Sequence, residues 1–137
     1  MPANTNPIFT LTPDVSWGTT AITTQNTAKD GTGTVLTVFT AGANGSYVQK
    51  LRVRPSGTSV QTVLRLFINN GSTNATPANN ILFDEITIPT ITLSETTAQN
   101  SYEIPLNFAL PASYVLNVTI GTTVAAGLYV SVVGGDY

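Results

Sequence analysis

Catalysis needs side chains that can take up, release or relay protons and electrons, and this 137-residue sequence has few of them. Histidine and cysteine are both absent. Without histidine there is no imidazole base, no usual nitrogen ligand for a metal and no serine-hydrolase triad. Without cysteine there is no thiol nucleophile and no disulfide framework. What remains is carboxylate chemistry on seven acidic residues. A glycosidase needs two carboxyl groups facing one cleft, yet Asp84 and Glu85 are adjacent in a strand-like segment and should point to opposite faces. Asp14, Asp30 and Asp136 offer hard oxygens to a calcium ion, but no stretch has the acid spacing of an EF-hand. "DGTGT" at 30–34 lacks the lysine and the following helix of a phosphate-binding loop, so it reads as a turn. The expectation is a protein that is not an enzyme and uses no metal and no cofactor.

The basic residues are concentrated. "KLRVRPSGTSVQTVLRLF", residues 50–67, holds Lys50, Arg52, Arg54 and Arg65, leaving only Lys29 elsewhere. A net charge of −2 and a pI of 4.7 give no global field to attract a polyanion, so no nucleic-acid partner is expected. No apolar run approaches the ~20 residues that span a bilayer, so no membrane partner is expected either. "MPANTNPIF" has neither the basic nor the apolar region of a secretion signal, which points to a product made in a cytoplasm. Asn44, Asn70, Asn74 and Asn117 each begin an Asn-x-Ser/Thr triplet, but in a chain this rich in Asn and Thr such triplets arise by chance.

Period-two alternation dominates the chain, which makes the class all-β. Strands are expected at 15–24, 34–40, 47–54, 62–69, 81–88, 101–107, 114–120 and 127–133. Between them lie clusters of Gly, Pro, Asn, Asp and Ser, with Asn44-Gly45 and Asn70-Gly71 the clearest turns. Eight short antiparallel strands in one domain fit a jelly-roll-like β-sandwich, with an immunoglobulin-like sandwich as the second choice. Residues 1–12 read as an N-terminal arm or edge segment and residues 13–137 as a single sandwich domain.

Alternation also assigns faces. In "YVQKLRVR", Lys50, Arg52 and Arg54 share one face with Val48, opposite Leu51 and Val53. The cations belong on the solvent side, because burying unpaired charge costs several kcal/mol each. In "TVLRLFIN", Leu64, Leu66 and Ile68 form the inward stripe, which turns Val63, Arg65 and Phe67 outward. An exposed Val-Arg-Phe row suits a protein interface better than bulk water. The cations could pair with Asp84, Glu85, Glu95 or Glu103 on the surface, or dock onto an acidic protein partner. Trp17, Tyr102, Tyr114 and Tyr129 could form a sugar-stacking platform as in carbohydrate-binding modules, although core and rim packing is the commoner use of such rings.

Two long stretches carry a resemblance. "KDGTGTVLTVFTAGANGSYVQKLRVRPSGTSVQTVLRLFINNGSTN", residues 29–74, and "LPASYVLNVTIGTTVAAGLYVSVVGGDY", residues 110–137, resemble the head decoration, or cement, proteins of tailed bacteriophages. That resemblance implies a jelly-roll-like β-sandwich on the outside of an assembled capsid. There it would bind the major capsid protein as a homo-oligomer, dimer or trimer, and clamp neighbouring subunits, with a terminal arm reaching across one of them. The location it implies is the virion surface. Candidate interface groups are Lys50, Arg52, Arg54, Val63, Arg65 and Phe67 on the strands, and Pro7, Ile8, Phe9 and Leu11 in the arm. The alternative function is a tail or head-fibre module that recognises a host glycan or receptor.

Overall fold

A computed structural model describes residues 9–137, so Pro7 and Ile8 lie outside the described residues. Eight strands follow in order: β1 (Thr12–Trp17), β2 (Leu36–Thr40), β3 (Ser46–Pro55), β4 (Thr62–Asn69), β5 (Asn80–Ile88), β6 (Tyr102–Leu110), β7 (Val115–Ile120) and β8 (Leu128–Asp136). One turn of 3₁₀ helix, Pro77–Asn79, precedes β5. All named strand pairs are antiparallel, and they build two four-stranded sheets in the orders β1-β8-β3-β6 and β2-β7-β4-β5. Every connection except β4 to β5 crosses from one sheet to the other. This interleaving is the jelly-roll architecture expected from the alternation.

The core lies between the sheets, where inward residues of both interdigitate. Val48, Leu51, Val53, Val130 and Val132 come from the first sheet, and Leu64, Leu66, Leu116, Val118 and Ile120 from the second. Each contributes roughly 1.5–3 kcal/mol by leaving water. Val48 corrects an expectation. It belongs to the core and not to the cationic face, because a β-bulge between Val48 and Lys50 leaves Gln49 as an extra, exposed residue and reverses the parity upstream of it.

The first strand also departs from expectation, since it ends at Trp17 and does not continue to residue 24. Residues 18–35 instead form a strap. Ile22 bridges Leu128 at the start of β8, and Asn26 then donates its N–H to the Ile120 carbonyl at the end of β7. From there the strap reaches the far end of β4 and β5, over the outer side of the second sheet. Asn74 Nδ2 donates to the Gly31 and Gly33 carbonyls at 3.1 and 2.9 Å, and Asn80 Nδ2 to the Asp30 carbonyl at 3.1 Å. Asn26 Nδ2 ties the strap to itself through the Thr32 and Thr34 carbonyls, both at 2.8 Å. Part of the asparagine content is therefore a clasp for backbone that no sheet ladder satisfies.

Asn74→Ala and Asn80→Ala should each cost about 1–2 kcal/mol by stranding those carbonyls. Hydrogen exchange should quicken across residues 26–34 while β3 and β8 keep their protection. Unchanged exchange in the strap would show that the clasp is unimportant.

Candidate binding surface

The two outer faces of the sandwich differ. On the second sheet, Val63, Arg65 and Phe67 do point away from the core as expected, but the row is not exposed. Val63 is half-buried, Arg65 is buried, and Phe67 has 0 % of its surface accessible while standing apart from the contiguous inter-sheet core. Their cross-strand neighbours Asn117 and Thr119 are buried too. The strap is anchored beside this face, to the Ile120 carbonyl at the end of β7 and to Asn74 and Asn80 at the turn between β4 and β5. Arg65 Nε donates to Glu85 Oε2 at 3.0 Å, a pair whose carboxylate is half-exposed and whose guanidinium is not. These three residues are therefore withdrawn as candidate contacts, and the basic patch is divided between sheets.

The outer face of the first sheet is bare. Lys50, Arg52 and Arg54 project from β3 as expected, and Lys50 Nζ meets Glu103 Oε1 at 3.1 Å. That pair is solvent-screened and contributes ~0–1 kcal/mol. Of the four acids considered as surface partners, Glu103 and Glu85 take up the role. Arg52 and Arg54 have no carboxylate partner among the described residues. Arg52 donates to Ser101 Oγ at 3.2 Å, and Arg54 reaches the Gln99 carbonyl only at 3.5 Å. Tyr129 stands opposite Arg54 in the β3–β8 register, and Trp17 and Arg52 both stand opposite Ser131. Two of the four rings proposed as a platform, Trp17 and Tyr129, therefore share this face on adjacent strands, while Tyr102 and Tyr114 are half-buried and pack against the core.

Sequence reasoning missed the most distinctive element of this face. Along "FTLTPDVSW" the apolar residues point out: Phe9, Leu11, Val15 and Trp17 are 82, 71, 56 and 67 % exposed, whereas the polar Asp14 and Ser16 between them are half-buried. The alternation was visible, but nothing in it says which side meets the core. Pro13 sits in the middle of this stripe on the outermost strand, where a residue without an N–H is tolerated. It also blunts the edge against strand addition, so contact is directed to the side chains.

The face has two ends, separated by seven residues of β3, or ~20 Å. At one end Phe9 and Thr10 meet Tyr47 and Tyr137 around an open hollow of about 490 Å³, and Tyr47 Oη bonds Asn107 Oδ1 at 3.3 Å. At the other end Arg52, Arg54, Pro55, Ser56, Tyr129 and Ser131 line a second hollow of about 430 Å³. Arm residues Phe9 and Leu11 and the arginines thus share a face without touching.

Two carboxyl groups have shifted pKa values. Partial burial, and secondarily the charge of Asp136, raise Asp14 above its ordinary 3.8. The Thr32 hydroxyl and then its N–H lower Asp30, which is fully exposed. A raised carboxyl favours its protonated form in the fold, so ionised Asp14 weakens the protein above that pKa and the penalty disappears as pH falls through it. Asp14→Asn should therefore raise the Tm slightly at pH 7, and the gain should vanish below the ordinary carboxylate range; a gain that persisted at low pH would mean that charge is not the cause. No group of three or more potential metal-ligating side chains occurs among the described residues. Comparison with protein-family models, with curated proteins and with solved structures finds no match to the chain.

Proposed function

We propose that the chain is a structural virion protein, a decoration or cement protein, that docks on the outside of a phage capsid and bridges neighbouring subunits of the major capsid protein. The single observation that carries this reading is the inverted first strand. A chain that exposes Phe9, Leu11, Val15 and Trp17 in one row on the edge of a sheet forgoes the stabilisation of burying them, and an apolar row of this kind marks a contact surface. The remaining features fit the same role. The outer row of the second sheet is largely buried, the outer face of the first carries exposed apolar and cationic side chains, and the side chains offer adhesion in place of reaction chemistry.

Phe9 and Leu11 lead the docking end, where Tyr47 and Tyr137 enlarge the apolar area. Copies joined as a dimer or trimer over a symmetry axis would turn modest contacts into avidity through effective concentration. The test is to count copies on purified particles, strip them gently and challenge the bare shells with heat and osmotic shock. Shells that lose the protein should burst sooner, and equal resistance would rule out a cement role. Phe9→Ser combined with Leu11→Ser should lower shell affinity by ~10–100-fold without changing the Tm, because neither ring nor isobutyl group is buried in the free protein.

A further inference from the structure

The hollow at the opposite end of the first sheet is not needed for docking through Phe9 and Leu11, and its chemistry is different. We infer that Arg52, Arg54, Tyr129 and Trp17 form a binding site for a carboxylated sugar residue, of the sialic or uronic acid class. Three observations converge on it. First, both guanidiniums lack a carboxylate partner among the described residues and bond only neutral oxygens, Ser101 Oγ at 3.2 Å and the Gln99 carbonyl at 3.5 Å. They are two residues apart on one strand face, about 7 Å along it, so one planar anion can be approached by both.

Second, an aromatic ring lines the hollow beside the cations, and a second stands one strand further out. Tyr129, 60 % exposed, is in register with Arg54, and Trp17 lies diagonal to it across β8. A ring sugar has a flat C–H face that stacks on such surfaces, whereas a simple anion gains nothing from them. Third, the hollow of about 430 Å³ is open and shallow, with room for one or two sugar rings whose chain continues into solvent.

The occupant follows from charge and shape together. A neutral sugar would leave both arginines unanswered, and a polyanion such as nucleic acid would meet a chain of net charge −2. One carboxylate on an otherwise uncharged ring satisfies both constraints. Glu103 limits the affinity, since it faces Arg52 in the ladder although it bonds Lys50. This site does not depend on shell docking and can be tested without particles.

Trp17 is the sole tryptophan and stands across Ser131 from Arg52, so its indole N–H resonance is an unambiguous reporter at the margin of the site. The probes are 3′-sialyllactose and digalacturonate, with lactose as the uncharged control and triglutamate as a carboxylate without a sugar ring. A shift of the Trp17 resonance with either acidic sugar at millimolar concentration, but not with lactose or triglutamate, supports the site, and the tighter of the two identifies the natural class. Arg52→Ala with Arg54→Ala should weaken that binding by ~10-fold or more. Tyr129→Ala should weaken it by a few-fold, and Lys29→Ala, on the strap over the other sheet, should leave it unchanged. Triglutamate binding as well as the sugars, lactose binding equally, or no shift with either acid would each overturn the assignment. The double variant keeps its fold if its Tm matches the parent, because both arginines are exposed.

Discussion

Replacing Phe67 with alanine lowers stability by about 3–5 kcal/mol, because it empties a fully enclosed volume on the outer side of β4. The side chain has no accessible surface, lies opposite Asn117 on β7 and Leu82 on β5, and stands outside the inter-sheet core. In a chain of this size that cost corresponds to a fall in Tm of roughly 10–15 °C. Urea unfolding of Phe67→Ala beside Val63→Ala separates the possibilities. If the outer row of β4 faced water, both changes would cost less than ~0.5 kcal/mol. A small effect at Phe67 would mean that the side chain is not enclosed in solution.

Gly134→Ala is the second large effect expected, and it comes from overcrowding. At this position β8 runs opposite Val48, and an added Cβ would stand 2.3 Å from the Tyr47 carbonyl oxygen and 3.2 Å from Val48 Cα. Both obstacles are main chain in the ladder beside the bulge, so relief requires the β3 and β8 strands to separate. The cost should be ~3 kcal/mol or more, at the upper end of overpacking. Gly121→Ala is the matched control, since its nearest obstacle is Arg65 Nη1 at 3.5 Å, an ordinary contact. Thermal unfolding of the two variants side by side checks the argument. Equal, small losses would mean that the close approach of β8 to Tyr47 does not exist in solution.

Much of this architecture is legible in the residue order, and its failures have physical causes. Alternating Leu51 and Val53 against Arg52 and Arg54 sets the faces of β3 correctly, because burying guanidiniums in preference to aliphatic groups is so unfavourable. The same rule misplaces Val48, since an inserted residue such as Gln49 reverses parity without leaving a local signature. On β4 the direction of Arg65 and Phe67 was correct and their exposure was wrong. The strap beside them is a polar, non-periodic segment of Thr, Asn and Gly whose hydrogen bonds run to side chains far away in sequence, and no local pattern encodes that. β1 fails in the opposite sense. Its alternation is clear, but amphipathic periodicity names two faces without saying which is wet, and an edge strand that presents its apolar side outward reads the same as one that buries it. The arginines at one end of the face and Phe9 at the other were therefore grouped on charge and hydropathy, while only the register of β3 with β8 shows how far apart they lie.

The pairing of the first strand with the eighth has a consequence for biosynthesis. Thr12 is hydrogen-bonded territory for Asp136 and Trp17 for Ser131, so the strand bearing the apolar row has no ladder to join until nearly the whole domain has left the ribosome. A nascent chain therefore holds its stickiest segment unplaced throughout translation, and the exposed row becomes an ordered surface only at the final closing of the fold.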